Sequence, residues 1–178
     1  GGYTMSLPAE DKSYRAKGDM LDDIVVLLGG RVAEAKVLGD ISTGASNDIE
    51  RATDIARKMV TRYGMSEALG PIVYGGGDHE VFLGKDYGSV RNYSETVASD
   101  IDIEVKRIIS ECYEICAAIL TENMEKLICV AEYLIVHEKA DGATFEKLMG
   151  EKLTAEEIAS LNLTKEGVEG AYYYELVW

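Results

Sequence analysis

The sequence predicts a mainly α fold, a multi-helical antiparallel bundle with a short edge strand or small hairpin. Three observations predict it. Apolar residues recur at three- and four-residue steps through four segments, each the signature of a buried helix face. Capping and stop residues punctuate those segments. The links between the later ones are short, which favours antiparallel packing of successive helices.

Composition sets the frame. The 178 residues suffice for a sizeable core, and 47% hydrophobic with 28% charged residues describe an ordinary soluble globular protein. A formal net charge of −14 argues against a nucleic-acid partner, whose phosphates would repel the surface. No apolar run reaches the roughly 18 to 20 residues needed to span a bilayer. The start, Gly1-Gly2-Tyr3-Thr4-Met5, has neither the basic and apolar regions of a signal peptide nor an initiator Met, so an excised or cleaved piece is expected. Cys112, Cys116 and Cys129 are expected as small core residues in a reducing compartment, with no third and fourth metal ligand beside the Cys112/Cys116 pair.

In chain order, Gly2 to Leu7 alternates polar and apolar residues before Pro8 ends it, the pattern of a short edge strand. Ala9 to Gly18 is charged and loop-like. Met20 to Leu38 predicts a helix with Leu21, Ile24, Val25, Leu28, Val32 and Ala33 inward. Gly29 and Gly30 in its middle cost roughly 1 kcal/mol each relative to Ala, which suggests close approach by a neighbouring helix.

Ser42-Thr43-Gly44-Ala45-Ser46-Asn47-Asp48 reads as a tight polar lead-in to a long helix. Ser42 and Thr43 are capping residues, Gly44 allows a bend, and Asp48 and Glu50 place negative charge where the helix dipole favours it. Ile49, Ala52, Ile55, Ala56, Met59, Val60 and Tyr63 form its inner face, and Gly64 is its stop.

Met65 to Asn92 is loop-rich. Ile72-Val73-Tyr74 and Val81-Phe82-Leu83 could pair across Gly75-Gly76-Gly77, and His79 sits at that loop's tip as a solvated residue. Ser94 caps a helix from Glu95 to Glu122, with Val97, Ile101, Val105, Ile108, Cys112, Ile115 and Ile119 inward and Asp100, Asp102 and Glu104 largely outside. Asn123 caps the next helix, Met124 to Lys139, carrying Leu127, Val130, Ala131, Leu134 and Ile135, with His137 near its C-terminus. Thr144 to Met149 and Thr154 to Leu161 are short helices, and the aromatic end Tyr172 to Trp178 has strand propensity. Residues 1–150 and 151–178 are expected as a main region and an extension.

The wording of one stretch carries further than its pattern. Ser42 to Thr53, followed by Ala56-Arg57-Lys58-Met59-Val60-Thr61 and Tyr63-Gly64-Met65-Ser66, closely resembles the peptidase domain of FtsH-type ATP-dependent zinc metalloproteases. Gly2-Tyr3-Thr4-Met5-Ser6-Leu7-Pro8 and Gly29-Gly30-Arg31-Val32-Ala33-Glu34 match the same family, and the resemblance runs from Gly2 to about residue 150.

The resemblance implies that Asp48 is the third protein ligand of a catalytic zinc. It also implies that Gly2, Tyr3, Thr4 and Met5 lie in a strand to which substrate adds as a further strand. Glu34 is the rival carboxylate, with an ordinary salt bridge to Arg31 as its plainer role; Ala35 stands where the family usually has a second acid. In the family the other two ligands and the general base come from one HExxH helix. This chain has only His79 and His137, neither in such a motif, so no catalytic residue is assigned in it and the chain alone is expected to be inactive. ATP is expected only at a separate upstream domain. The resemblance further implies unfolded or membrane protein substrates, a hexameric parent protein and a place on the cytoplasmic side of a membrane, this chain itself being soluble. The alternative is a natural pseudopeptidase or oligomerisation module without catalysis.

Overall fold

A computed structural model describes residues 3–6, 14–75, 93–150 and 174–177, the first and last of these stretches as backbone. The chain is mainly helical. It divides into two compact units, Tyr14–Leu120 and a second made of Gly1–Ser13 with Thr121–Trp178.

In the first unit, helix α1 spans Lys17–Ala33 and continues as a wider π-turn over Glu34–Leu38. The Asp19 carboxylate accepts the Ala16 backbone N–H at 2.9 Å, which satisfies one of the free donors at the helix start. Gly39, at φ 66°, takes the left-handed conformation that ends the helix. Helix α2 spans Ser46–Thr61 and α3 spans Glu95–Glu122, the latter opened by a bond from the Val97 N–H to the Ser94 hydroxyl at 3.3 Å.

One core joins the three. Met20, Ile24, Leu28 and Val32 from α1 meet Ala52, Ala56, Met59 and Val60 from α2, and Ile101, Val105, Ile108, Cys112 and Cys116 from α3. Removing each large side chain from water stabilises the fold by about 1.5–3 kcal/mol. The expected stripes hold with four corrections. Tyr63, past the end of α2, is 50% exposed. On α3 the stripe passes from Cys112 to Cys116, a four-residue step, and leaves Ile115 and Ile119 half exposed. One residue turns a helix by about 100°, so Ile115 lies off the seam that Cys116 keeps. No described side chain or backbone comes within 4 Å of where a β-carbon would stand on Gly29 or Gly30, so the close helix approach is absent there. Glu104, expected outside, is buried.

After α2 the chain turns at Gly64, at φ 60° and packed so closely that a β-carbon would lie 2.7 Å from the Pro71 Cα. Ile72-Val73-Tyr74 is not a strand. Tyr74 is fixed instead by its N–H to the Thr61 carbonyl at 2.8 Å and its hydroxyl to the Leu69 carbonyl at 3.2 Å. Val81 to Leu83, His79 and the expected helix from Thr154 to Leu161 lie outside the described residues.

The second unit holds strand β1 (Tyr3–Ser6), helix α4 (Met124–His137), strand β2 (Lys139–Ala140), helix α5 (Gly142–Gly150) and strand β3 (Tyr174–Val177). The strands form one sheet in the order β1-β3-β2, with β3 antiparallel to both neighbours. Tyr3 stands opposite Val177 and Ser6 opposite Tyr174, while Lys139 and Ala140 face Val177 and Leu176. Among the described residues the strand expected near the N-terminus is therefore an edge strand, and Tyr174–Val177 near the C-terminus supplies its partner. Asn123 occupies the N-cap position of α4, and the Asp141 carboxylate caps α5 through the Thr144 N–H at 2.8 Å. Tyr133, Leu134, Ala140 and Leu148 form this unit's core; Ile135, expected inward, is 71% exposed. Among the described residues no helix is long and apolar enough to cross a membrane.

Candidate functional site

The loop between α1 and α2 is held from one side. The Ser42 hydroxyl donates to Glu34 Oε1 at 2.6 Å and the Ser42 backbone N–H donates to Oε2 at 3.1 Å. Arg31 Nη1 donates to the Ser42 carbonyl at 3.4 Å, and the Gly44 N–H donates to Ser42 Oγ at 3.0 Å. Glu34 is thus bound to Ser42 rather than paired simply with Arg31. The two Ser42 donors, with Arg31 assisting more weakly, hold the Glu34 carboxyl below the usual glutamate range.

From this clamp the chain passes into α2. Ala45, not Ser42 or Thr43, occupies the N-cap, and no side chain caps the helix. The Thr43 carbonyl accepts the Ser46 N–H at 3.1 Å and the Ala45 carbonyl accepts that of Ile49 at 3.0 Å. Asp48 then falls in the first turn, as the charge pattern predicts. Its side chain is 45% exposed, and Arg51 Nη1 stands 3.8 Å from Oδ1, an ion pair too long and too wet to occupy the carboxylate.

As chemistry, Asp48 is one accessible oxygen donor, which fits a single place in a zinc ligand set. Among the described residues no three His, Cys, Asp or Glu side chains converge to complete such a set. Cys112 and Cys116 are buried, and burial pushes both thiols up, away from the thiolate a metal needs. His137 stacks on the Tyr133 ring with centroids 4.3 Å apart. Tyr3, Thr4 and Met5 lie in β1, at the edge of the sheet in the second unit; Gly2 is outside the described residues.

The sequence reading missed one cluster. Ser66 Oγ donates to Glu104 Oε2 at 2.6 Å, and Arg107 reaches the same carboxylate through Nε at 3.0 Å and Nη2 at 3.1 Å. Arg107 Nη1 also binds Glu111 at 2.7 Å. Arg107 first and Ser66 second hold the Glu104 carboxyl below its usual range against its burial. A 38-residue separation joins Ser66 to Glu104, and no local pattern announces such a pair.

Comparison with known proteins bears on this arrangement. Residues 1–148 match the profile of peptidase family M41. The chain is 63% identical over 148 residues to the ATP-dependent zinc metalloprotease FtsH 1 of Thermoanaerobacter sp. (strain X514), covering 83% of this chain and 24% of that protein. It is 51% identical over 152 residues to the ATP-dependent zinc metalloprotease FtsH of Bacillus subtilis (strain 168), covering 84% of this chain and 24% of that protein. Against the protein of that name from Thermotoga maritima it is 48% identical over 151 residues, 85% of this chain and 25% of the relative. The chain therefore spans about a quarter of the length of these relatives. With the α1–α2 loop and the first turn of α2 inside the matched region, the chain belongs to peptidase family M41.

Proposed function

We propose that this chain is the C-terminal part of the peptidase domain of a membrane-associated, ATP-dependent zinc endopeptidase that degrades unfolded or membrane proteins. Asp48 is the third protein ligand of its zinc, and Gly2, Tyr3, Thr4 and Met5 face substrate. The observation that carries the reading is an exposed, lightly paired Asp48 in the first turn of α2, inside a region 63% identical to a zinc metalloprotease.

Each residue then has a defined task. Asp48 supplies a negatively charged oxygen donor from a rigid helix start, and Arg51 beside it balances its charge without closing it off. The bound metal would supply Lewis acidity and an activated water. In β1, the edge away from β3 pairs with no other strand among the described residues, which leaves backbone donors and acceptors for an added substrate strand. The remaining ligands, the ATPase and the membrane anchor belong to the rest of the parent protein, which assembles as a hexamer. This chain alone neither degrades unfolded protein nor binds zinc tightly.

The test is Asp48→Asn in the full-length protein. Loss of bound zinc together with loss of proteolysis is expected. Full zinc occupancy and full activity in that variant would contradict the assignment.

A further inference from the structure

We propose that Glu34 is a positioning residue, which acts through Ser42 to fix the loop that presents Asp48; the inference rests on Asp48 being a metal ligand. Four hydrogen bonds converge on one serine. The Ser42 hydroxyl and N–H both end on the Glu34 carboxylate, its carbonyl accepts from Arg31, and its Oγ accepts from Gly44. Every polar group of Ser42 is thereby engaged, three of the four contacts coming from the end of α1.

Two backbone features agree with that role. The chain widens into a π-turn beginning at Glu34, so the carboxylate leaves α1 where the helical winding changes. A β-carbon on Gly44 would lie 3.1 Å from Ser42 Oγ and 3.7 Å from Glu34 Oε1, so the loop closes on the clamp with only a glycine's width to spare. Four residues after Gly44 comes Asp48. A carboxylate that orients a ligand-bearing segment through an intermediate group has the place of an outer-shell partner, whose loss weakens metal binding about 10–100-fold.

The geometry requires two acceptor oxygens at residue 34 and one hydroxyl at residue 42. Glu34→Gln removes one acceptor, and Ser42→Ala removes the hydroxyl that serves both Glu34 and Gly44. Ser42→Thr keeps it. In the full-length protein, zinc dissociation constants measured by chelator competition are expected to rise about 10–100-fold for Glu34→Gln and Ser42→Ala and to stay within about threefold for Ser42→Thr. Melting temperatures are expected to stay within about 2 °C of the parent. In the 178-residue chain itself, amide exchange at Ser42 and Gly44 is expected to quicken at least about tenfold in Glu34→Gln.

Three results would overturn the proposal. Zinc affinity unchanged in Glu34→Gln while Asp48→Asn loses its metal refutes the positioning role and leaves the ligand standing. Zinc loss that merely tracks a fall in melting temperature in both Glu34→Gln and Ser42→Ala makes the clamp structural only. Undiminished zinc in Asp48→Asn refutes the ligand, and the positioning role with it.

Discussion

At the scale of single residues, the chain shows how differently three carboxylates are used. Asp48 is half exposed with a distant partner, Glu34 is half-buried and holds both donors of Ser42, and Glu104 is buried and engaged. Glu104 is the one whose loss should cost stability. Glu104→Ala strands the Ser66 hydroxyl and one face of Arg107, and about 1–3 kcal/mol of unfolding free energy is expected to go, measured by urea denaturation. The pH dependence follows from the direction of its shift. Its carboxyl titrates below the ordinary glutamate value of about 4.3, so its contribution is complete above that pH and is lost as pH falls through the depressed folded value. Wild-type stability should therefore fall more steeply below about pH 4 than that of Glu104→Gln. Gly64 offers a second test. A side chain there meets both an unfavourable φ and the Pro71 backbone, so Gly64→Ala is expected to destabilise by at least about 2 kcal/mol in the same assay.

At the scale of elements, the helices were legible because their signal is redundant. α3 runs from Glu95 to Glu122 as the periodicity predicts, and its Ser94 cap is in place. What the pattern could not resolve is which of two adjacent apolar residues keeps the seam over seven turns, so Ile115 was expected where Cys116 is found. The buried Ser66–Glu104 pair was invisible for another reason: acids on a helix read as solvent-facing unless the distant partner is known. The α2 start was legible in its charge but not in its cap, because Ala45 holds the N-cap position, the Ser42 side chain bonds within the loop, and Thr43 meets Ser46 through its backbone carbonyl rather than its hydroxyl. Thiol chemistry checks the α3 seam. Cys112 and Cys116 are buried and Cys129 only partly so, and a thiol reagent at pH 8 is expected to modify Cys129 first, with the other two following at the rate of unfolding. Faster labelling of Cys116 than of Cys129 would move the seam back to Ile115.

At the scale of the whole molecule, the N-terminal strand and the C-terminal strand meet in one sheet although the family match ends at residue 148. Since β3 is the middle strand, shortening the chain to Gly150 leaves β1 and β2 without their shared neighbour. Faster amide exchange at Tyr3–Ser6 is expected, with the α1–α2–α3 core unchanged; unchanged protection of Tyr3–Ser6 would remove β3 from its central place. The candidate site was legible only through the wording of Ser42 to Thr53, since spacing alone makes Asp48 an ordinary helix-start acid. If, as proposed, this acid binds the metal of a longer protease, the zinc content of the full-length protein carrying Asp48→Asn is decisive. About one zinc per subunit is expected in the wild-type protein and almost none in the folded variant. A folded variant that retains its zinc would contradict the proposal.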